Sequence, residues 1–116
     1  MPLALIIEDD EDISQIYSVM LRDVGFDAEV VFDGSSALEW LAAMSPDLII
    51  LDLNLPVVSG VEVLRQVRAD ERLAHAIVII ASANPQMSDE VSDLADLTLL
   101  KPISFDHLRD LIARLM

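Results

Sequence analysis

Polar side chains follow three apolar runs of the chain, at the point where each run ends. Residues 3–7 lead into Glu8 and Asp9, residues 48–51 lead into Asp52, and residues 97–100 lead into Lys101. If the three runs are neighbouring parallel strands, an acidic pair, a single aspartate and a lysine converge on one edge of a sheet. These groups can hold a divalent cation beside a carboxylate that can be phosphorylated.

The acidic residues after the first run favour a metal site. Two carboxylates about 4 Å apart repel each other by about 4 kcal/mol at an effective dielectric constant of roughly 20, and Asp52 adds a third charge. Either a proton is taken up or a cation binds. Hard oxygen ligands suit Mg²⁺, with Mn²⁺ as the alternative ion. Glu11 and Asp12, in contrast, are expected only to favour the N-terminus of the following helix.

Asp52 has two interpretations. It can cap the loop that reaches Asn54, or it can act as a nucleophile, because carboxylates form acyl phosphates. In the second case we expect Asp9 to bind the metal directly and Glu8 to assist through water. Asp52 would supply one oxygen and the backbone carbonyl of Asn54 another.

Two further residues end apolar runs and can contact a phosphoryl group. The Lys101 ammonium can pair with Asp52 before phosphorylation and with a phosphoryl oxygen afterwards. Pro102 can place a cis peptide bond at this turn. Ser82 follows the fourth run and can donate its hydroxyl, although turn serines are common. Each signal is weak alone, but their order along one sheet edge is specific.

Length and composition exclude several classes of protein. The 116 residues suit one domain with an aliphatic core, because 53% are hydrophobic and only 4% aromatic. There is no cysteine, so thiol chemistry and disulfides are excluded. A net charge of −14 argues against direct nucleic-acid binding. We expect no membrane insertion and a cytoplasmic location, since no apolar run approaches the roughly 18 residues of a membrane span.

Apolar strands alternate with amphipathic helices along the whole chain. We expect strands over 3–7, 28–32, 47–51, 77–81 and 97–100. The helix after the first strand should bury Ile16 and end before Gly25. Capping boxes begin the next two helices, at Ser36 and at Ser59, and the helix that begins at Ser36 should bury Ala42. A short helix over 88–94 and a last helix from about residue 104 complete an open parallel α/β sheet covered on both faces.

The chain resembles the receiver domains of two-component response regulators, of the type found in chemotaxis receivers. The matching segments are residues 6–10, residues 46–56 with Gly60, residues 81–83 and residues 100–103. The resemblance implies a flavodoxin-like, doubly wound five-stranded parallel sheet in the order 2-1-3-4-5. It also implies phosphotransfer from a histidine kinase or phosphotransfer protein, with family roles that map onto these residues: Asp52 as phosphoacceptor, Glu8 and Asp9 as the acid pair, Ser82 as the hydroxyl, Lys101 as the lysine, and Asn54 and Asn84 at positions that tune phosphoryl lifetime.

Two departures from the family pattern leave an alternative open. The aromatic residue that usually lies three positions before the lysine is Thr98 here, and the stretch from Ser82 to Lys101 is short, so the fourth helix should be shortened or displaced. The alternative is a degenerate receiver that binds a partner independently of phosphorylation. An aspartate-nucleophile phosphatase is disfavoured, because Asn54 stands where its second aspartate would lie. A flavin protein is disfavoured because carboxylates repel phosphate.

The sequence therefore predicts a phosphoacceptor switch rather than an enzyme. We expect a single receiver domain over residues 1–116 without an output domain. We expect phosphorylation of Asp52 with Mg²⁺ to change the affinity for a downstream protein that the sequence does not name.

Overall fold

The computed structural model describes residues 1–115, which form five parallel strands and five α-helices in alternation. The elements are β1 Leu3–Ile7, α1 Glu11–Asp23, β2 Asp27–Val31, α2 Gly34–Ala43, β3 Leu48–Asp52, α3 Gly60–Ala69, β4 Ile77–Ser82, α4 Pro85–Val91, β5 Leu97–Leu100 and α5 Phe105–Leu115. Short 3₁₀ helices cover Glu71–Leu73 and Ser92–Leu94. The strand order β2-β1-β3-β4-β5 confirms the predicted sheet.

Alternate residues of the central strands build one core on each face of the sheet. Leu48 and Ile50 of β3 pack with buried residues of α1 and α5, whereas Ile49 and Leu51 pack with those of α2 and α3. All five residues of β3 are buried, as expected for the middle strand of a doubly covered sheet. The two helical layers cover both faces of the sheet, so the ligand site of such a fold is expected at the carboxyl ends of the strands.

The predicted elements were found with small shifts in their ends. β1 and β5 have the predicted bounds, β2 and β3 are each shifted by one residue, and β4 extends one residue further. The fourth helix was predicted over 88–94 but begins at Pro85, because the preceding asparagine caps it there. The N-cap of α2 was predicted wrongly as Ser36. Asp33 caps this helix instead, because its carboxylate accepts the backbone N–H of Ser36 at 2.7 Å. The Ser59 cap of α3 was correct, since its hydroxyl accepts the N–H of Glu62 at 3.3 Å.

Two residues expected to be buried lie at the surface. Ile16 of α1 is 46% exposed, and Ala42 of α2 is exposed while Ala37 occupies the buried position. Both belong to the apolar stripe of an amphipathic helix, but a 3.6-residue repeat defines a wider stripe than one sheet contact covers. α1 ends as predicted, with Gly25 at a φ of +95° just beyond its cap Val24.

The fourth helix is short and is held at its far end by an arginine of α3. α4 has seven residues and passes directly into the 3₁₀ helix over Ser92–Leu94. The Arg68 guanidinium donates to the carbonyls of Leu94 at 2.7 Å and Ala76 at 2.9 Å. It also pairs with Asp96 at 3.0 Å, and Asp96 accepts the Val78 N–H at 2.8 Å. The segment after α4 is therefore anchored to α3 and β4.

Among residues 1–115, no helix has the length and apolar character needed to cross a membrane.

Candidate functional site

The carboxyl ends of four strands bring the predicted residues to one edge of the sheet. Ile7 of β1 lies beside Leu51 of β3, so the residues that follow, Glu8 and Asp52, are neighbours at the point where the strand order reverses. Asp52 pairs with Ala81 of β4, next to Ser82. Lys101 follows β5, and its backbone N–H donates to the Ser82 carbonyl at 2.8 Å. The sheet register alone thus assembles the site.

Lys101 is shared between two buried carboxylates. Its Nζ lies 2.7 Å from Glu8 Oε1 and 3.3 Å from Asp52 Oδ2. Pairing with Asp52 was predicted, but the shorter contact with Glu8 was not. Both carboxylates are nearly inaccessible, with Glu8 1% and Asp52 5% exposed, so the ammonium is the cation that compensates their burial in this structure.

The Asp52 side chain is oriented by the loop that follows it. Oδ1 accepts the backbone N–H of Asn54 at 3.0 Å, while Oδ2 faces Lys101. The loop-capping interpretation of Asp52 therefore describes a real contact, which also fixes the carboxylate in one orientation. Gly60 allows this loop to pack closely, because a Cβ there would lie 2.2 Å from the Asp52 carbonyl oxygen and 2.5 Å from the Cα of Leu53.

The electrostatics of the site reflect an excess of negative charge. Burial raises the pKa of the Glu8 carboxyl from 4.5 to about 7, with a further contribution from Asp52 and against the lowering effect of the Lys101 hydrogen bond. Burial lowers the pKa of Lys101, but its contacts with Glu8 and Asp52 outweigh this and raise it. Burial, followed by the charges of Glu8 and Asp52, also raises the pKa of the Tyr17 hydroxyl. One lysine thus leaves part of the acidic charge uncompensated.

The remaining charge belongs to a cluster of acidic residues that could hold a cation. Glu8, Asp9 and Asp52 each offer one carboxylate oxygen, and these oxygens all lie within 4.8 Å of one another. Asp9 is exposed, whereas the other two are buried, so a cation can approach from the solvent side. Three hard oxygen donors beside open solvent fit a divalent ion that retains water. The acidic pocket therefore fits phosphorylation of an aspartate with Mg²⁺.

Ser82 is buried and connects the site to α4. Its hydroxyl accepts the backbone N–H of Asn84 at 3.0 Å and donates to the Asn84 carbonyl at 3.3 Å. The Asn84 side chain caps α4 by accepting the N–H groups of Gln86 at 3.0 Å and Met87 at 3.2 Å. Ser82 is therefore linked to the first turn of α4 through a single residue, Asn84.

Thr98 lies in β5 opposite Ile80 and is half-buried. The Lys101–Pro102 peptide bond is cis, as the sequence suggested.

Asp10 has a structural role that was not predicted from the sequence. This residue caps α1 by accepting the N–H groups of Asp12 at 3.0 Å and Ile13 at 3.1 Å. An acidic residue three positions before an apolar helical pattern is a recognised N-cap signal, so the local sequence contained this information. The Lys101–Glu8 contact joins residues 93 positions apart and had no local signal.

Comparison with known proteins agrees with this geometry. The protein-family model for the response regulator receiver domain matches residues 4–113. The chain is 38% identical over 111 residues to the DNA-binding dual master transcriptional regulator RpaA of Synechocystis, covering 93% of this chain and 46% of RpaA. It is 39% identical over 118 residues to the sensory transduction protein RegX3 of Mycolicibacterium smegmatis, covering 99% of this chain and 49% of RegX3. The chain thus spans about half the length of the curated relatives that it matches.

Solved structures give the same result over the full fold. The chemotaxis response regulator CheY4 of Vibrio cholerae superposes with a TM-score of 0.89 at 28% identity, covering 100% of this chain and 99% of that one. TrrA of Thermotoga maritima, solved in complex with Mg²⁺ and BeF, superposes with a TM-score of 0.88 at 28% identity, covering 100% of both chains. Since the family model spans nearly the entire chain and the acidic site lies at the switch point of the matching fold, the chain belongs to the receiver domain family of two-component response regulators.

Proposed function

We propose that this receiver is a switch that accepts a phosphoryl group on Asp52. The observation that supports this most strongly is the convergence of Asp52 with Glu8, Asp9, Lys101 and Ser82 at one edge of the sheet. Asp52 is 5% exposed, and its Oδ2 faces an ammonium at 3.3 Å. A carboxylate in this position is fixed by its contacts and is almost inaccessible to solvent.

The proposed reaction is an in-line transfer from a phosphohistidine of a kinase or phosphotransfer protein. An Asp52 carboxylate oxygen forms a bond to phosphorus as the bond between phosphorus and the donor's ring nitrogen breaks. The bonding electron pair returns to the imidazole, which takes up a proton from solvent. The Lys101 ammonium then pairs with a phosphoryl oxygen, and the Ser82 hydroxyl donates to another.

Glu8, Asp9 and Asp52 would hold the metal, with the backbone carbonyl of Asn54 as a further oxygen ligand and Glu8 acting through water. Bound Mg²⁺ or Mn²⁺ supplies charge neutralisation for the phosphoryl oxygens. The fit rests on the hard oxygen donors, all carried by strand ends that the sheet fixes.

The proposed output passes through Ser82 to α4. In this structure the Ser82 hydroxyl is bonded to Asn84, so turning it towards a phosphoryl group removes a contact at the N-cap of α4. Asn54 and Asn84 are proposed to tune the phosphoryl lifetime, and Thr98 to take the position of the reporter side chain. Because Thr98 lacks a ring, its part in the switch would be a hydrogen bond through the hydroxyl.

Two features favour a second candidate, a receiver that binds its partner without phosphorylation. Thr98 stands in β5 where an aromatic side chain is usual, and α4 is only seven residues long. An amide NMR spectrum unchanged by Mg²⁺ and beryllofluoride would support this candidate. Shifts that spread from the site into α4 and β5 would support the phosphorylation switch.

Histidine kinases are partners of the receiver family, and a signalling switch is the family's role. We propose a cytoplasmic signalling role rather than an enzymatic one, through a downstream protein rather than direct nucleic-acid binding. Two curated relatives are named as DNA-binding regulators, but those proteins are about twice as long as the matched segment. The charge of −14 supports partners with basic surfaces.

The experiment is intact-mass spectrometry after incubation with Mg²⁺ and phosphoramidate. The wild type should gain one phosphoryl group, and Asp52→Asn should gain none. Chelation of the metal with EDTA should abolish the gain in the wild type. Asp47→Asn is the matched control, since Asp47 lies at the opposite end of β3 and accepts the Leu3 N–H at 2.9 Å. A gain that persists in Asp52→Asn would contradict the proposal.

A further inference from the structure

A cavity of about 200 Å³ opens beside Asp52. Its lining consists of Asp52, Asn54, Ala83, Asn84, Met87 and Lys101. A water molecule takes up about 30 Å³ in the liquid, so the cavity has room for several waters or for a phosphoryl group with waters beside it. A water that attacks a phosphoryl group on Asp52 therefore has room in this space.

Met87 is the large apolar side chain in this lining. The other lining residues carry an amide, a charge or, for Ala83, a single methyl group. Met87 is half-buried and packs against the core on the α2 and α3 side of the sheet. Its backbone N–H donates to the Asn84 side chain at 3.2 Å, which fixes the first turn of α4 relative to the cavity.

We infer that Met87 is a specificity-determining residue that limits the access of water and phosphodonors to Asp52. This inference rests on the proposed phosphorylation of Asp52. The thioether side chain offers no strong hydrogen bond, so it excludes water from the part of the cavity that it borders. Because Met87 belongs to the turn capped by Asn84, it borders the cavity in a position set by the same residue that contacts Ser82.

The step that Met87 would slow is hydrolysis of the acyl phosphate. The oxygen of a water attacks phosphorus, and the bond between phosphorus and the Asp52 oxygen breaks with its electron pair remaining on the carboxylate. Both protons of the water leave with the phosphate, so the products are the Asp52 carboxylate and dihydrogen phosphate. An apolar wall reduces the number of waters that can reach the attacking position.

The test compares the lifetime of the phosphorylated state in three Met87 variants, followed by loss of the phosphoryl mass after the donor is removed. Met87→Gln keeps the length of the side chain but adds hydrogen-bonding atoms, and Met87→Ala enlarges the cavity. Both should hydrolyse about threefold faster or more than the wild type. Met87→Leu retains an apolar wall and should restore a lifetime within about twofold of the wild type. Met44→Gln is the matched control, since Met44 lies beyond the end of α2 and is 43% exposed.

A second readout separates access from a general loss of structure. The rate of phosphorylation by acetyl phosphate should rise more in Met87→Ala than the rate with the smaller phosphoramidate. A loosened fold would instead lower both rates and the melting temperature. If Met87→Ala does not fold, the ratio of lifetimes between Met87→Gln and Met87→Leu decides the question.

The outcomes distinguish this inference from the function on which it rests. If the wild type is phosphorylated but all Met87 variants share its lifetime within twofold, the role of Met87 is wrong and the phosphoacceptor function stands. If the wild type accepts no phosphoryl group, both are wrong.

Discussion

Glu8 should make the metal-free protein less stable as the pH rises through neutrality. The pKa of its carboxyl is about 7 in the folded protein, against 4.5 for an unperturbed glutamate, because the side chain is 1% exposed. Between these two values the folded state binds more protons than the unfolded state, so the free energy of unfolding falls with increasing pH. Its contribution is fully present below about pH 4.5 and is lost once the pH has risen through about 7. Most acidic residues that form ion pairs have the opposite effect.

The magnitude follows from the size of the shift. Moving from a pKa of 4.5 to about 7 corresponds to about 3 kcal/mol at 1.36 kcal/mol per unit. About 2 kcal/mol of this is lost between about pH 5.5 and about pH 8. The comparison is made between the wild type and Glu8→Gln, because titrating groups that do not interact with Glu8 contribute equally to both proteins.

The assay is urea unfolding at about pH 5.5 and about pH 8, followed by circular dichroism. The wild type should lose about 2 kcal/mol more than Glu8→Gln over this interval. Addition of Mg²⁺ should stabilise the wild type more at the higher pH, where the carboxylates are ionised, and should affect Glu8→Gln less. Equal pH dependence in the two proteins without metal would refute the reasoning, since it would mean that burial does not hold a proton on Glu8.

Three substitutions test other parts of the structure. Val57 has a φ of +70° and is 85% exposed, so Val57→Gly should raise the free energy of unfolding by about 1 kcal/mol in urea denaturation, whereas Val58→Gly should lower it. Arg68→Met removes the contacts with Leu94, Ala76 and Asp96 and should lower the free energy of unfolding by about 2 kcal/mol. Arg65→Met, on the exposed face of α3, should lower it little. Equal losses in the two variants would show that the Arg68 contacts are not stabilising. Lys101→Met removes a positive charge 2.7 Å from Glu8, so calorimetric titration should show about tenfold tighter Mg²⁺ binding, with Arg114→Met unchanged. Unaltered Mg²⁺ affinity in Lys101→Met would place the metal away from this pair.

The sheet and the strand-end residues were predictable because both follow from patterns of short range. The apolar, buried residues of β3 directly precede Asp52, and parallel strands bring their carboxyl ends to one edge of the sheet. The order of strands came from the resemblance to a family rather than from periodicity. The single-domain arrangement without an output domain stays a prediction.

The details that were wrong or missed depend on competition or on long-range contacts. Ser36 and Glu39 form a capping pattern, but Asp33 lies closer to the end of β2 and caps α2 first. The Lys101 ammonium contacts both Glu8 and Asp52, and these contacts depend on side-chain positions that the whole sheet brings together. The anchoring of the segment after α4 by Arg68 likewise joins residues 26 positions apart.

The central claim is that Asp52 carries the phosphoryl group, and reductive trapping of the acyl phosphate tests it most directly. The protein is incubated with Mg²⁺ and a phosphodonor, treated with borohydride, digested and mapped by mass spectrometry. Borohydride reduces a phosphorylated aspartate to homoserine, so homoserine should appear at position 52. It should be absent when EDTA is present during incubation with the phosphodonor. Homoserine at Asp9 or at another aspartate, with Asp52 unmodified, would contradict the account.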